Sequence, residues 1–275
     1  MSRSRAGLLV CAAIAVLLAI AACGGGPSSE DQANAEEWAW LTEAQQNLDA
    51  KRQELADLRA AAQEATISAE ESAEEGEAGS EEAAEGDVEE IDDAAQIVAL
   101  ESEIDTLSDE FTSRLVGFLN ADPMIEGEEP TDRQRAALRM KSSEDIVLAD
   151  EWIQKGGDYK RALDILNTAI MFDPDNPDLK AAIERAETER YMSAERFALA
   201  EKGMTEDQVR AVLGQANLLN VREYPDKDVV AWFYPTAEDG SAAAVWFQPE
   251  KDSGQLRVYQ VKFDAINPEE MGEDQ

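Results

Sequence analysis

Apolar residues are spaced along this chain in three rhythms. The first is an uninterrupted run: Ala6 to Ala22 carries no charge, follows Arg3 and Arg5, and gives way to GGGPSSEDQAN. The second is a three–four alternation. Leu41, Leu48 and Leu55 recur every seven positions with Ala44 and Leu58 between them, and Ile97, Leu100, Ile104, Leu107, Phe111 and Phe118 repeat the spacing. Each stripe is narrow, as in a coiled-coil seam, so two helices are expected over residues 35–65 and 91–119. At about 30 residues each they would span roughly 45 Å. Lys51 and Arg52 fall near the first seam and predict imperfect packing there. Between the stripes, residues 67–93 hold thirteen acids and no Lys or Arg. So polar a stretch cannot offset its ordering entropy by burial, and it reads as a disordered tip joining two antiparallel helices.

Helical spacing resumes after the break NADPMIEGEEP (120–130). A helix is expected from Thr131, with Ala136, Leu138 and Met140 as a degenerate neighbour to the helices of residues 143–176. Those residues read as helix, GGD turn, helix, and a stop at Pro174. Asn176-Pro177 is an N-cap followed by a first-turn proline, opening a helix that runs to about Ala200 and carries Ile183, Ala186 and Phe197. The third rhythm has period two. Gly203-Met204-Thr205 precedes EDQVRAVLG, in which Thr205 and Gln208 form a capping box, Val209, Val212 and Leu213 share a face, and Gly214 stops the helix. Strands come next at Val229–Tyr234, Ala242–Phe247 and Leu256–Phe263, with Asp239-Gly240 and Ser253-Gly254 at the hairpin connections.

Charge changes the picture more than length does. The chain has 275 residues and a formal charge of -36. Such a field repels phosphate backbones and anionic headgroups, which excludes nucleic-acid partners and basic-patch membrane binding. Histidine is absent, which excludes Ser-His-Asp and Cys-His nucleophile systems and imidazole metal sites. The acidic tract shows no D-x-D-x-D-G spacing and reads as a solvated linker, not a calcium site. No metal site, cofactor, small-molecule substrate or catalytic residue is expected. Only two cysteines exist, Cys11 and Cys23. Cys11 lies inside the apolar run, so no internal disulfide survives if that run is removed.

Ile20-Ala21-Ala22-Cys23 closes the apolar run. This resembles the lipobox of bacterial lipoproteins: an aliphatic residue, two small ones, and the cysteine that is acylated. The resemblance implies a signal peptide over 1–22, a diacylglycerol and fatty acyl group on Cys23, and a flexible tether over 23–34. Two or three acyl chains give stable anchoring where one does not. Gly24 in place of Asp implies the outer membrane of a Gram-negative cell, facing the periplasm.

Gly157, Asp158, Tyr159, Ala162, Leu166, Ala169 and Pro174 resemble the second half of a tetratricopeptide repeat. In the first half Ile146 stands at the large apolar position, Asp150 replaces the expected small residue, and Ala149 is displaced by one. One such unit, over 131–194, implies a packing module or a peptide groove, and the packing module is the favoured expectation.

Gly203, Met204, Thr205, Gln208, Val209, Leu213 and Gly214, then Trp232 and Tyr234, Val245 and Phe247, resemble the SmpA/OmlA family of outer-membrane assembly lipoproteins. The resemblance covers residues 195–265, and Ala216 replaces the family's usual proline. It implies a two-helix domain with a three-stranded antiparallel sheet that binds partner proteins and performs no catalysis. The motif residues are expected to be architectural. The whole is therefore expected to be α+β: an N-terminal coiled-coil hairpin (35–119), the tetratricopeptide-like region, the sheet domain, and an acidic tail over 266–275. The expected role is a lipid-anchored scaffold for outer-membrane protein assembly, with envelope proteins such as the barrel-assembly machinery as partners. The wider fold includes β-lactamase-inhibitory proteins, so an inhibitor of a periplasmic enzyme, or a scaffold of a secretion or pilus system, are the alternatives.

Overall fold

The computed structural model describes residues 29–74, 86–125, 128–251 and 253–266. Within them the fold is α+β, with seven α-helices followed, from Val221 onward, by a four-stranded antiparallel sheet. Helices α1 (Ser29–Glu74) and α2 (Gly86–Ala121) form the antiparallel hairpin. Its direction is set by Trp38 on Phe118, with ring centroids 5.4 Å apart, and by the ion pair of Arg59 with Glu101 further along. Leu41, Leu48 and Leu55 meet Leu100, Ile104, Phe111, Leu115 and Phe118 in one buried cluster.

Both helices are longer than the apolar stripes. Residues 29–34, expected to be tether, are helical, and so are 67–74 and 86–93 at the margins of the expected disordered tip. Ala and Glu are strong helix formers, and extending an existing helix avoids the cost of a new nucleus. The stripe marks where the helices are packed, not where they end. The remainder of the tip (75–85), residues 1–28 and the expected acidic tail beyond 266 lie outside the described residues.

Helix α3 (Asp132–Gly156) is one continuous element where a degenerate helix and a separate repeat helix were expected. It opens on a capping box of Thr131 and Gln134, and Gln134 Nε2 also donates to Asp122 O at 3.1 Å. Its first half places Ala137 and Met140 in the hairpin core, and its second half places Ala149 in the core of the next unit. One helix therefore belongs to two cores, and the boundary expected at residue 131 is not a separation.

The lock between α3 and the hairpin is ionic. Arg52 Nη1 and Nη2 donate to Glu144 Oε1 and Oε2, each at 2.8 Å, and Ser108 Oγ donates to Glu144 Oε2 at 3.0 Å. The Glu144 side chain is 8% exposed and that of Arg52 21%. Arg52 is thus no packing fault in the seam: its guanidinium crosses the seam to neutralise a buried carboxylate, and the neighbouring Lys51 pairs with Glu103 at 2.6 Å.

Helices α4 (Tyr159–Phe172) and α5 (Pro177–Glu189) complete the middle unit. Ala162, Leu166 and Ala169 are buried against Ala149, Leu179, Ala182 and Ala186. Asn176 caps α5 as expected: its Oδ1 accepts from Asp178 N and Leu179 N, while its Nδ2 donates to Asp173 Oδ2 at 2.8 Å. Asp150, which breaks the repeat pattern, points outward and pairs with Arg185 of α5 at 2.6 Å. The helix from Pro177 does not continue to Ala200. It ends at Glu189, and Phe197 belongs to the short α6 (Ala194–Phe197) in the core of the sheet domain.

That domain adds α7 (Glu206–Leu213) and strands β1 (Val221–Tyr224), β2 (Val229–Pro235), β3 (Ala242–Pro249) and β4 (Leu256–Ile266), ordered β1-β2-β3-β4. The expectation of three strands misses β1, which pairs Val221 with Trp232 and Tyr224 with Val229. Register makes the sheet two-faced. On the inner face Trp232 opposes Val245 and Val230 opposes Phe247, with the Trp232 and Phe247 rings 4.7 Å apart, under Val209, Leu213 and Phe197. On the outer face each aromatic opposes an alanine, Ala231 with Trp246 and Phe233 with Ala244, and both alanines are fully buried.

Removing one member of a buried ion pair leaves the other uncompensated. Arg52→Ala is therefore expected to destabilise the hairpin–α3 unit by about 2–4 kcal/mol in urea unfolding. The double variant Arg52→Met/Glu144→Leu is expected to recover most of that loss. A double variant no more stable than Arg52→Ala counts against the ionic lock.

Candidate functional site

The lipobox residues Ile20, Ala21 and Ala22 and the expected acylation site Cys23 lie outside the described residues. No helix among the described residues is long and apolar enough to cross a membrane, and these residues contain no group of three or more side chains placed to hold a metal ion.

The residues of the two motifs occupy framework positions. Thr205 Oγ1 accepts from Gln208 N while Gln208 Oε1 accepts from Thr205 N, closing the capping box of α7. Gly203 has φ +92° and donates its N–H to Val258 O at 2.8 Å, and Val258 N donates to Met204 O at 2.9 Å. The turn before α7 is thereby stitched to the free edge of β4, which covers it against edge-to-edge association. Val209 and Leu213 are buried under the sheet, against Trp232, Tyr234 and Phe247 of its strands. Tyr234 donates its hydroxyl to Gly214 O at 3.2 Å, so strand β2 is tied to the end of α7. Arg210 lies over the Trp232 ring, 4.9 Å from its centroid.

The repeat motif and the family motif meet. Gly157 closes α3 in the left-handed region, φ +61°. A Cβ there would stand 2.6 Å from Asn217 N and closer still to Gln215 O, because the segment after α7 lies directly on it. Asn217 returns the contact, its Nδ2 donating to Gly157 O at 3.4 Å. A second crossing is made by Met192 N, which donates to Pro235 O at 2.8 Å. Gly157, read from the sequence as a repeat turn, is thus also the point where the middle unit touches the sheet domain.

Beside this contact is a cavity of about 250 Å³. Its walls come from the start of α4, the end of α5 with the link after it, the turn after α7, and the end of β2. Tyr159 of the repeat motif and Leu213, Tyr234 and Gly157 all reach it, while Pro174, Ala162, Leu166 and Ala169 do not. Arg190, Arg196 and Lys160 also line it, against one carboxylate, Glu189. The sequence patterns single out none of these four. Arg190 is partly occupied: it lies over Tyr191, 4.6 Å from the centroid, and its Nε is 2.9 Å from Glu187 Oε2, though that buried nitrogen is not aligned for a hydrogen bond. Arg196 lies near enough to Tyr159 to act on its hydroxyl electrostatically, and it rests against Gly214, where an added Cβ would meet its Nη2 at 2.9 Å.

Burial raises the pKa of the Tyr159 hydroxyl, which Arg196 partly offsets, and burial raises that of Tyr234 well above the ordinary phenol value of 10.0. Both stay neutral donors at physiological pH. The sequence signal for the cavity's basic residues is indirect: a run of Arg and Tyr, RYMSAERF (190–197), in an otherwise acid-rich chain.

No family model, curated protein or solved structure matches the chain. The tetratricopeptide-like and SmpA/OmlA-like readings rest on the motif residues named above.

Gly157→Ala is expected to cost at least about 2 kcal/mol, since the left-handed conformation alone disfavours a side chain by about 1–2 kcal/mol and the added methyl meets backbone. Hydrogen exchange is expected to rise around 215–217 and 157–159; unchanged protection at 215–217 would show that the contact does not join the modules. A phenol whose folded pKa is raised contributes stability that is complete below its unfolded value and lost as pH rises through the folded one. Thermal stability is therefore expected to fall as pH rises above about 10, and Tyr234→Phe is expected to flatten that fall.

Proposed function

We propose that the chain is a lipid-anchored scaffold or accessory factor of the outer membrane, facing the periplasm. It acts by binding proteins during outer-membrane protein assembly or envelope maintenance, and it is not an enzyme. The observation that carries this reading is Ile20-Ala21-Ala22-Cys23 at the end of an uncharged run that follows Arg3 and Arg5. The acyl group on Cys23 is the one attached group the function requires. The resemblance of residues 195–265 to the SmpA/OmlA family supports assembly of β-barrel proteins as the process served.

The geometry is compatible with tethering. Helix α1 begins at Ser29, close behind Cys23, and the intervening stretch of chain reaches at most about 20 Å. The root of the hairpin, where Trp38 meets Phe118, is therefore held near the lipid. Arg114 braces that root: it pairs with both Glu37 oxygens, at 2.8 and 2.6 Å, and its guanidinium lies 3.6 Å over the Trp40 ring. This pairing holds the Glu37 carboxyl below its usual pKa. The 46 residues of α1 span roughly 69 Å at 1.5 Å per residue, about 55 Å of it beyond the root at Trp38. The acidic end of the hairpin thus points away from the anchor, where a chain of this charge is least opposed by anionic headgroups.

Labelled palmitate is expected to enter the wild-type protein and not Cys23→Ser, and the variant is expected to leave the outer-membrane fraction. Cross-linked envelopes are expected to yield barrel-assembly subunits with the wild type and to lose them when residues 195–275 are deleted. Label in Cys23→Ser refutes the anchor; absence of every barrel-assembly subunit refutes the assembly role.

A further inference from the structure

The cavity at the joint between the middle unit and the sheet domain concentrates positive charge in a molecule that has almost none to spare. Of 24 basic residues against 60 acids, three line this one hollow. Among the described residues, most arginines are engaged by carboxylates: Arg52, Arg59, Arg114, Arg135, Arg139, Arg185, Arg210 and Arg257 each form an ion pair. Arg196 and Lys160 form none within these residues. Arg196 is held in place without being neutralised. Gly214, at φ +81°, lets the guanidinium lie against the backbone, and Tyr159 lines the same hollow. The Tyr159 hydroxyl, kept protonated by burial, is a donor available to a ligand. Met192, Leu213 and Pro235 contribute apolar lining.

We propose that this cavity binds a carboxylate carried on an apolar body. The carboxylate faces Arg196 and Lys160, the Tyr159 hydroxyl donates to it, and the apolar part lies against Met192, Leu213 and Pro235. A planar guanidinium is matched to carboxylate geometry, and a partly water-excluded site strengthens such bonds. A volume of about 250 Å³ suits one or two amino-acid residues, not an extended segment. Glu189 at the rim opposes a second negative group, which selects a singly charged head over a phosphate ester. The walls of the site come from different modules, so occupancy also fixes the middle unit against the sheet domain. Binding at this site does not depend on how the chain is anchored.

The same chemistry is offered by the C-terminal residue of a polypeptide and by a free acyl amino acid, and one experiment separates them. The full chain is titrated with N-acetyl-leucine, with its uncharged amide, and with a decapeptide ending in a free leucine carboxylate, tracking NMR shifts at 157–160, 192–196 and 213–217. Both acids are expected to bind, and the amide about tenfold more weakly or worse. Lys160→Gln and Arg196→Gln are each expected to weaken the acids several-fold, Glu189→Gln to strengthen them, and Arg185→Gln, whose partner is Asp150, to change nothing. Tighter binding of the peptide assigns the site to chain termini; equal binding assigns it to small carboxylates. Equal affinity for acid and amide, no saturable shift with any probe, or unchanged binding in Lys160→Gln overturns the proposal. Lys160 is exposed, so its variant is informative even if Arg196→Gln perturbs folding.

Discussion

Glu144 sits on α3 with a side chain only 8% exposed, and a carboxylate so placed is tolerable only if its charge is met. Arg52 meets it through two parallel hydrogen bonds and Ser108 adds a third, which joins α1, α2 and α3 at one level of the bundle. The three partners come from three helices, so the arrangement permits one register among them and penalises its neighbours. Everything C-terminal inherits that register. Helix α3 carries Ala149 into the next core, α4 and α5 pack on Ala149, and Gly157 at the end of α3 receives the sheet domain.

A strongly acidic chain has to ration its cations, and their placement shows where geometry matters. Arg114 braces the root of the hairpin against Glu37 and Trp40; Lys51 and Arg59 bind α1 to α2; Arg139 and Arg185 bind α3 to its neighbours at Asp173 and from α5 at Asp150. Most of these pairs are exposed and individually weak. Their collective effect is on orientation: helices with surplus negative charge repel, and a cation between two of them selects the facing that brings it to an acid. The apolar seams supply the attraction, and the ion pairs choose the angle.

Glycine acts at the junctions for a related reason. Gly157, Gly203 and Gly214 all have positive φ, yet each serves a different contact: backbone of residues 215–217, the edge of β4, and the Arg196 guanidinium. The first and third of these contacts both border the same hollow. The features that resemble a repeat turn and a family motif are therefore parts of one joint, and the cavity is a consequence of bringing them together.

Much of this was legible locally. The seven-residue spacing of Leu41, Leu48 and Leu55, the Thr205–Gln208 box, the Asn176-Pro177 start and the hairpin glycines at 240 and 254 all predicted what forms, because caps, turns and face periodicity are determined within a few residues of backbone. Helix ends were less legible: Ala/Glu-rich flanks extend α1 and α2 beyond their apolar stripes, since propagation needs no buried face. Strand β1 was invisible. VREY is four residues long with an exposed second half, and it is a strand because β2 offers an unpaired edge, not because of its own pattern. The partner of Arg52 lies 92 positions away and that of Gly157 60 positions away. The order of residues along the chain was enough to say which segments are helix, turn and strand, and what sign the molecular surface carries. Which arginine meets which acid, and that Arg196 and Lys160 meet none within the described residues, was settled only when whole elements packed, because long-range pairing depends on the relative placement of surfaces that no local window contains.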